Sequence, residues 1–165
     1  MRIAHPIGRI WPLILLLLAA CQTVPPAPAG GFTEAQKQAL RANGFEETDR
    51  GWEFGMADRL LFATDQSRIV PDQAARIARI AQALRAVGIA RLRVEGHTDS
   101  TGRRIYNDAL SLRRAKAVGE SLVRGGMPQD GIAIEGLGQD HPVESNDTVA
   151  GRAENRRVVI VVPTP

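Results

Sequence analysis

The sequence predicts an α/β chain of the α+β two-layer sandwich kind, in the order β-α-β-α-β-β, with helices on one face of a mixed sheet. Two long segments, 72–87 and 105–124, repeat apolar residues at helical spacing. Short stretches before, between and after them read as strands. Two amphipathic helices joined to such strands by right-handed crossovers belong on the same side of the sheet.

The chain opens with a leader, expected over 1–20. Arg2 and Arg9 supply a positive start, Ile10 to Leu18 a short apolar stretch, and Ala19 and Ala20 the small residues of a cleavage site. That stretch is too short to span a bilayer. Cys21 follows as the only cysteine, so no intramolecular disulfide can form. Leu18-Ala19-Ala20-Cys21 resembles a bacterial lipobox, which implies a covalent lipid (palmitate-type acyl chains) on Cys21 as the only attached group, with no other cofactor. Several acyl chains, at about 0.8 kcal/mol per buried methylene, make a persistent anchor. Gln22 rather than Asp in the second mature position implies sorting to the outer membrane. Residues 21–31 comprise Cys21 and, over 22–31, QTVPPAPAGG, a proline- and glycine-rich tether.

A helix is expected over 33–43, with Thr33 as N-cap, Gln36 completing a capping box and Gly44 ending it. Its apolar stripe is thin, so it needs a partner surface. GWEFGMADRLLF then concentrates Trp52, Phe54, Met56 and Phe62 in a chain with few aromatics, and Leu60 to Ala63 reads as a short buried strand. Helix 72–87 places Ile77, Ile80, Ala81, Leu84 and Val87 on one face between Pro71 and Gly88. ARLRVEG alternates Leu92 and Val94 against charges as a half-buried strand. Helix 105–124 ends at Gly125-Gly126, and strands follow at 132–135 and 158–162. The long run 137–155 between them should contain its own short helix, at 151–154.

Composition excludes some functions. Without Arg2 and Arg9 the chain carries 19 basic against 18 acidic residues, close to neutral and without the footprint of a nucleic-acid binder. EGHTDSTG, at 95–102, sets Glu95, His97 and Asp99 at alternating positions and so invites a metal or catalytic reading. One histidine with nearby carboxylates is a weak metal signal, and no nucleophile–base pair accompanies it, so neither an enzyme nor a metal site is expected. His97 reads instead as a structural residue hydrogen-bonded within the loop, and Ser100 and Thr101 as turn residues before Gly102. The segment leaves a strand end, where α/β sheets bind ligands. Asn107, Leu110, Ser111 and Arg114 share one face of the next helix. Asp99 and Arg114 thus become candidates to line one cleft with opposite charges. A zwitterion fits such a pair, its ammonium on the carboxylate and its carboxylate on the guanidinium fork.

EGHTDSTG, YNDALSLRRAKAV and GLGQDHPVESNDTVAGRAENRRV, in this order and spacing, resemble the OmpA-like peptidoglycan-binding domain over roughly 58–163. The resemblance implies a non-enzymatic domain that grips the meso-diaminopimelate residue of peptidoglycan stem peptides. It carries the family's aspartate onto Asp99 and its arginine onto Arg114. Its helix-face residues fall on Asn107, Leu110 and Ser111, and its Asn-Arg-Arg motif on Asn155, Arg156 and Arg157. Thr98 is available for a supporting hydrogen bond. Strand alternation aims one of the two arginines at the ligand side, and Arg156 is favoured.

ALRANGFEETDRGWEFGM, with the lipobox and the terminal RRVVIVVP, resembles lipoproteins of a cyclic di-GMP signalling system. These outer-membrane proteins face the periplasm and capture a YfiR-like repressor, relieving inhibition of an inner-membrane diguanylate cyclase. That resemblance implies a partner-contact segment at 32–57, with Leu40, Phe45, Trp52 and Phe54 as contact residues. The partners implied are therefore peptidoglycan, the repressor and the outer membrane through its lipid, with a homodimer left open. The competing reading is a passive tether between outer membrane and cell wall. Fully extended at about 3.3 Å per residue, 22–57 would span on the order of 100 Å, and less while 33–43 stays helical at about 1.5 Å per residue. Docking of Leu40 on the domain would then shorten the reach and restrain activity.

Overall fold

The computed structural model describes residues 31–62 and 67–165. The leader, Cys21 and nearly all of the tether lie outside the described residues. The chain forms α1 (Glu34–Ala42), β1 (Glu46–Thr48), β2 (Gly51–Ala57), α2 (Asp58–Leu61), α3 (Pro71–Ala86) and β3 (Leu92–Gly96). It continues through α4 (Arg104–Arg124), a 3-10 turn at Gln129–Gly131, β4 (Ile132–Gly136), α5 (Val149–Asn155) and β5 (Arg157–Val162). The strands make one mixed sheet in the order β1-β2-β5-β3-β4, in which β3 and β4 are parallel and the other neighbours antiparallel.

Local chemistry accounts for the elements. The Thr33 hydroxyl accepts the Gln36 amide at 3.2 Å while the Gln36 side chain accepts the Thr33 amide at 2.9 Å, the reciprocal box the spacing predicts. Pro71 starts α3, where its missing N–H costs nothing. Helix α4 lies across β3 and β4, α3 packs beside it, and α1 packs on α3. Ile77, Ile80, Leu84, Val118 and Leu122 meet Leu92, Val94, Val158 and Ile160 in one core. The opposite face of the sheet carries an ion-pair ladder instead: Arg50 with Glu53 and Glu95, and Arg93 with Glu95 and Glu135.

One expectation needs correction, and a second acquires a condition. The sheet begins with β1 and β2, not with Leu60–Ala63; Asp58–Leu61 is a helical turn, Phe62 bridges Ile69, and Ala63 lies outside the described residues. The apolar run Leu60–Phe62 is shorter than the alternation of Trp52, Phe54 and Met56 against Glu53 and Gly55. That alternation pairs in register with Val162, Ile160 and Val158. The boundary drawn at 57/58 consequently falls at the end of a strand that shares the sheet and core of the remainder.

The second concerns Leu40, Phe45, Trp52 and Phe54. All four are core residues, at 0, 3, 2 and 7% exposure, and so form no partner-facing surface in this conformation. The near end of the core is closed by these four side chains together with Phe32 and Met56. Phe45 and Phe54 stack with ring centroids 5.4 Å apart, and Arg41 and Arg76 cover the rings of Trp52 and Phe54 from outside.

Candidate functional site

The loop after β3 is built by its glycines and by side chains borrowed from α4 and α5. At Gly96 a Cβ would stand 2.1 Å from the Ser111 carbonyl oxygen, so only glycine lets β3 approach α4 this closely. Gly102 has φ +92°, the left-handed backbone that turns the chain into α4. The buried Asn107 amide nitrogen donates to the carbonyl oxygens of Asp99 and Thr101 and to the Gln139 side chain, at 3.0–3.2 Å. Asn155, fully buried at the end of α5, accepts from the Val143 and Glu144 amides and donates to the Glu144 carbonyl and to Asn146 Oδ1. Asn146 Oδ1 in turn accepts the Ser100 amide, tying the two loops together.

These supports leave a cleft of about 540 Å³ between the loop, α2, α4 and α5. Asp99, Thr98, Asn107, Leu110, Arg114 and Arg156 all line it, as do Asp58, Phe62, Tyr106 and Arg152, which sequence reasoning missed. Thr98 Oγ1 is buried with no hydrogen-bond partner among the described residues. Ser111 is the exception: it is fully buried behind the cleft wall. Its hydroxyl is already engaged, donating to the Asp108 carbonyl and accepting the Gly138 amide. The Gly138 carbonyl then accepts the Thr98 amide at 2.8 Å, so Ser111 acts on the cleft through the backbone.

Each half of the expected charge pair has an internal partner. Arg156 Nη1 donates to Asp99 Oδ2 at 2.6 Å, and the Thr101 amide donates to Asp99 Oδ1 at 2.8 Å. Burial alone would raise the Asp99 carboxyl, but Arg156 and the Thr101 donors outweigh it and hold the group below its ordinary value, ionised at neutral pH. Arg114, with its side chain 6% exposed, pairs through Nε with Asp58 Oδ1 at 3.0 Å, and its guanidinium lies 5.2 Å from the Phe62 ring centroid. Asp58 sits where β2 ends, its amide donating to the Arg156 carbonyl at 2.9 Å. No spacing rule links positions 58 and 114, so the sequence carried no signal for that clamp.

The fold takes Asp99 away from the other two members of the alternating acid–imidazole pattern. Glu95 faces the ion-pair ladder, Asp99 the cleft, and His97 a separate pocket beside Arg50, His141 and Arg157. His97 departs from expectation: it is buried, its ring nitrogens have no hydrogen-bond partner among the described residues, and Nε2 stands 3.7 Å from Glu95. Burial lowers its pKa, against the pull of that carboxylate. Arg157 points away from the cleft and donates to the His141 and Asn155 carbonyls. Among the described residues no three His, Cys, Asp or Glu side chains converge as metal ligands. Chemically, the cleft can hold a group bearing one cation and one anion against the apolar surfaces of Leu110, Phe62 and Tyr106.

Comparison with known proteins matches residues 61–156 to the OmpA family. The chain is 47% identical over 150 residues to the outer-membrane lipoprotein YfiB of Pseudomonas aeruginosa, covering 91% of this chain and 88% of that one. It is 43% identical over 103 residues to the peptidoglycan-binding protein ArfA of Mycobacterium bovis, covering 62% of this chain and 32% of that protein. Among solved structures, the peptidoglycan-associated lipoprotein from Burkholderia pseudomallei superposes with a TM-score of 0.55 at 29% identity, over 62% of this chain and 86% of that one.

Proposed function

Because the chain belongs to the OmpA family, we propose that it is an outer-membrane lipoprotein, anchored through a lipid on Cys21 and facing the periplasm, that binds peptidoglycan non-covalently. The ligand is the diaminopimelate of a stem peptide: its ammonium pairs with Asp99 and its carboxylate with Arg114, while Leu110 carries the apolar stem and Thr98 adds a hydrogen bond. The observation that carries this reading is the convergence of Asp99 and Arg114 on one cleft from a strand-end loop and a helix. Sedimentation with isolated peptidoglycan tests it. Binding should collapse for Asp99→Ala and for Arg114→Ala and survive chelator, whereas undiminished binding by both variants would overturn the assignment.

The further step of the proposal is signalling. The segment 32–57 captures a YfiR-like periplasmic repressor and so relieves a membrane diguanylate cyclase, raising cyclic di-GMP. The similarity to YfiB over most of both chains supports it. With Leu40, Phe45, Trp52 and Phe54 buried, capture requires α1 and its neighbours to open. Leu40→Pro breaks α1 and should increase repressor capture in a pull-down; unchanged capture would sink the idea. The same burial favours a second reading, a passive tether between outer membrane and wall. Purified chain that binds wall fragments but never the repressor, closed or opened, would establish the tether.

A further inference from the structure

The near-neutral total charge conceals a polarised surface. The ladder on the open sheet face consumes its charges in pairs. On the helical face, besides the Arg114–Asp58 pair, Arg68, Arg113, Lys116 and Arg124 converge on a shallow pocket of about 440 Å³ whose only acidic lining residue among the described residues is Glu120. All four cations are exposed, and none has a carboxylate within ion-pair distance among the described residues. Among the described residues Arg124 donates only to the neutral Ser121 hydroxyl. Positions 113, 116, 120 and 124 fall along one stripe of α4. From Arg113 to Arg124 it runs about 16 Å at 1.5 Å per residue. It begins one residue from Arg114, whose side chain lines the cleft.

We propose that this stripe is a second docking surface, which takes carboxylates of the wall polymer beyond the single residue held in the cleft. The proposal rests on the peptidoglycan reading above. Peptidoglycan stem peptides carry free carboxylates at intervals, so a polymer seated at Asp99 and Arg114 presents further anions along α4. Solvent-exposed cations with no ion-pair partner among the described residues suit such a ligand: they draw a polyanion at long range and hold it loosely, in a manner that salt screens. A lone stem peptide fills the cleft and gains nothing from the stripe; a polymer gains avidity, because its second contact is intramolecular. Arg113 lies three residues along α4 from Leu110 of the cleft wall, and that adjacency on the helix surface favours the wall over a lipid surface as the occupant.

The test uses the full chain and its triple variant Arg68→Gln/Arg113→Gln/Lys116→Gln, which alters none of the cleft residues. For isolated sacculi at low salt the variant should bind roughly tenfold more weakly, the order expected from three exposed charge contacts, and lose most of the salt dependence. For a soluble muropeptide ending in free diaminopimelate its affinity should stay within twofold of the unaltered chain. Unchanged sacculus affinity and salt slope would overturn the proposal, as would an equal loss for the soluble muropeptide, which would mean that the residues act through the cleft. Vesicles containing 30% phosphatidylglycerol form the last arm; stripe-dependent vesicle binding with unaffected sacculus binding would assign the surface to lipid instead. If Asp99→Asn leaves soluble-muropeptide binding intact while the triple variant still loses sacculi, the cleft reading fails and the stripe stands.

Discussion

Asp99→Asn separates ligand recognition from folding, because the substitution keeps shape and removes charge. Asp99 accepts from Arg156 Nη1 at 2.6 Å and from the Thr101 amide at 2.8 Å. The asparagine oxygen can keep the Thr101 bond, and the Arg156 side chain, 39% exposed, can turn to water. The cost to stability should therefore be about 1 kcal/mol or less, the range of exposed ion pairs. The bound ammonium has no such alternative, since the carboxylate, with its side chain 10% exposed, is its anionic partner in the cleft. A hydrogen bond to a charged group contributes about 1.5–3 kcal/mol, which at 1.4 kcal/mol per decade is a loss of roughly 10- to 150-fold in affinity. Calorimetric titration with a soluble diaminopimelate-containing muropeptide measures it, and thermal melting checks the fold. An affinity within threefold of the unaltered chain, with the melt unchanged, would refute the ammonium–Asp99 pairing.

Asp58→Ala should behave in the opposite sense. It strips Arg114 of a partner while the guanidinium stays buried, a loss of about 3 kcal/mol by the usual cost of breaking a buried pair, and a melt that moves by less than a degree would show that Asp58 does not hold it. Gly96→Ala would set its methyl against the Ser111 carbonyl, forcing β3 and α4 apart; circular dichroism should show a clearly lowered melting midpoint, and an unchanged midpoint would refute the close approach. Glu95 links stability to pH. Burial works against its ionisation, but His97, Arg93 and Arg50 outweigh it and bring the pKa from 4.5 to about 2. A pKa lowered on folding stabilises fully above the unfolded value, so this contribution, at most about 3 kcal/mol, is present above pH 4.5 and fades as pH falls toward 2. Glu95→Gln should lack that acid-side loss in melts between pH 2 and 6; parallel pH curves for the two proteins would refute the linkage.

Much of this was legible in the chain because it depends on neighbours in sequence. The apolar spacing of Ile77, Ile80 and Leu84 marks α3, and Thr33 with Gln36 marks the start of α1. EGHTDSTG already places Asp99 at a strand end, and the helix spacing places Arg114 on the face that shares its cleft. Other features depend on contacts between distant positions. Asp58 reaches Arg114, Asn155 anchors Asn146, which holds Ser100, and the stripe on α4 gains Arg68 from the loop before α3. No periodicity records those meetings.

The residues of 32–57 show the division most sharply. Sequence alone determined that Leu40, Phe45, Trp52 and Phe54 are large apolar groups, three of them aromatic in a chain that has few aromatics, and that they need a surface. Which surface was decided by tertiary structure: β2 pairs with β5, and the side chains that could have met a partner fill the end of this domain's own core. Apolar burial is non-directional, so a hydrophobic pattern states that a face will be covered and leaves to the assembled fold what covers it.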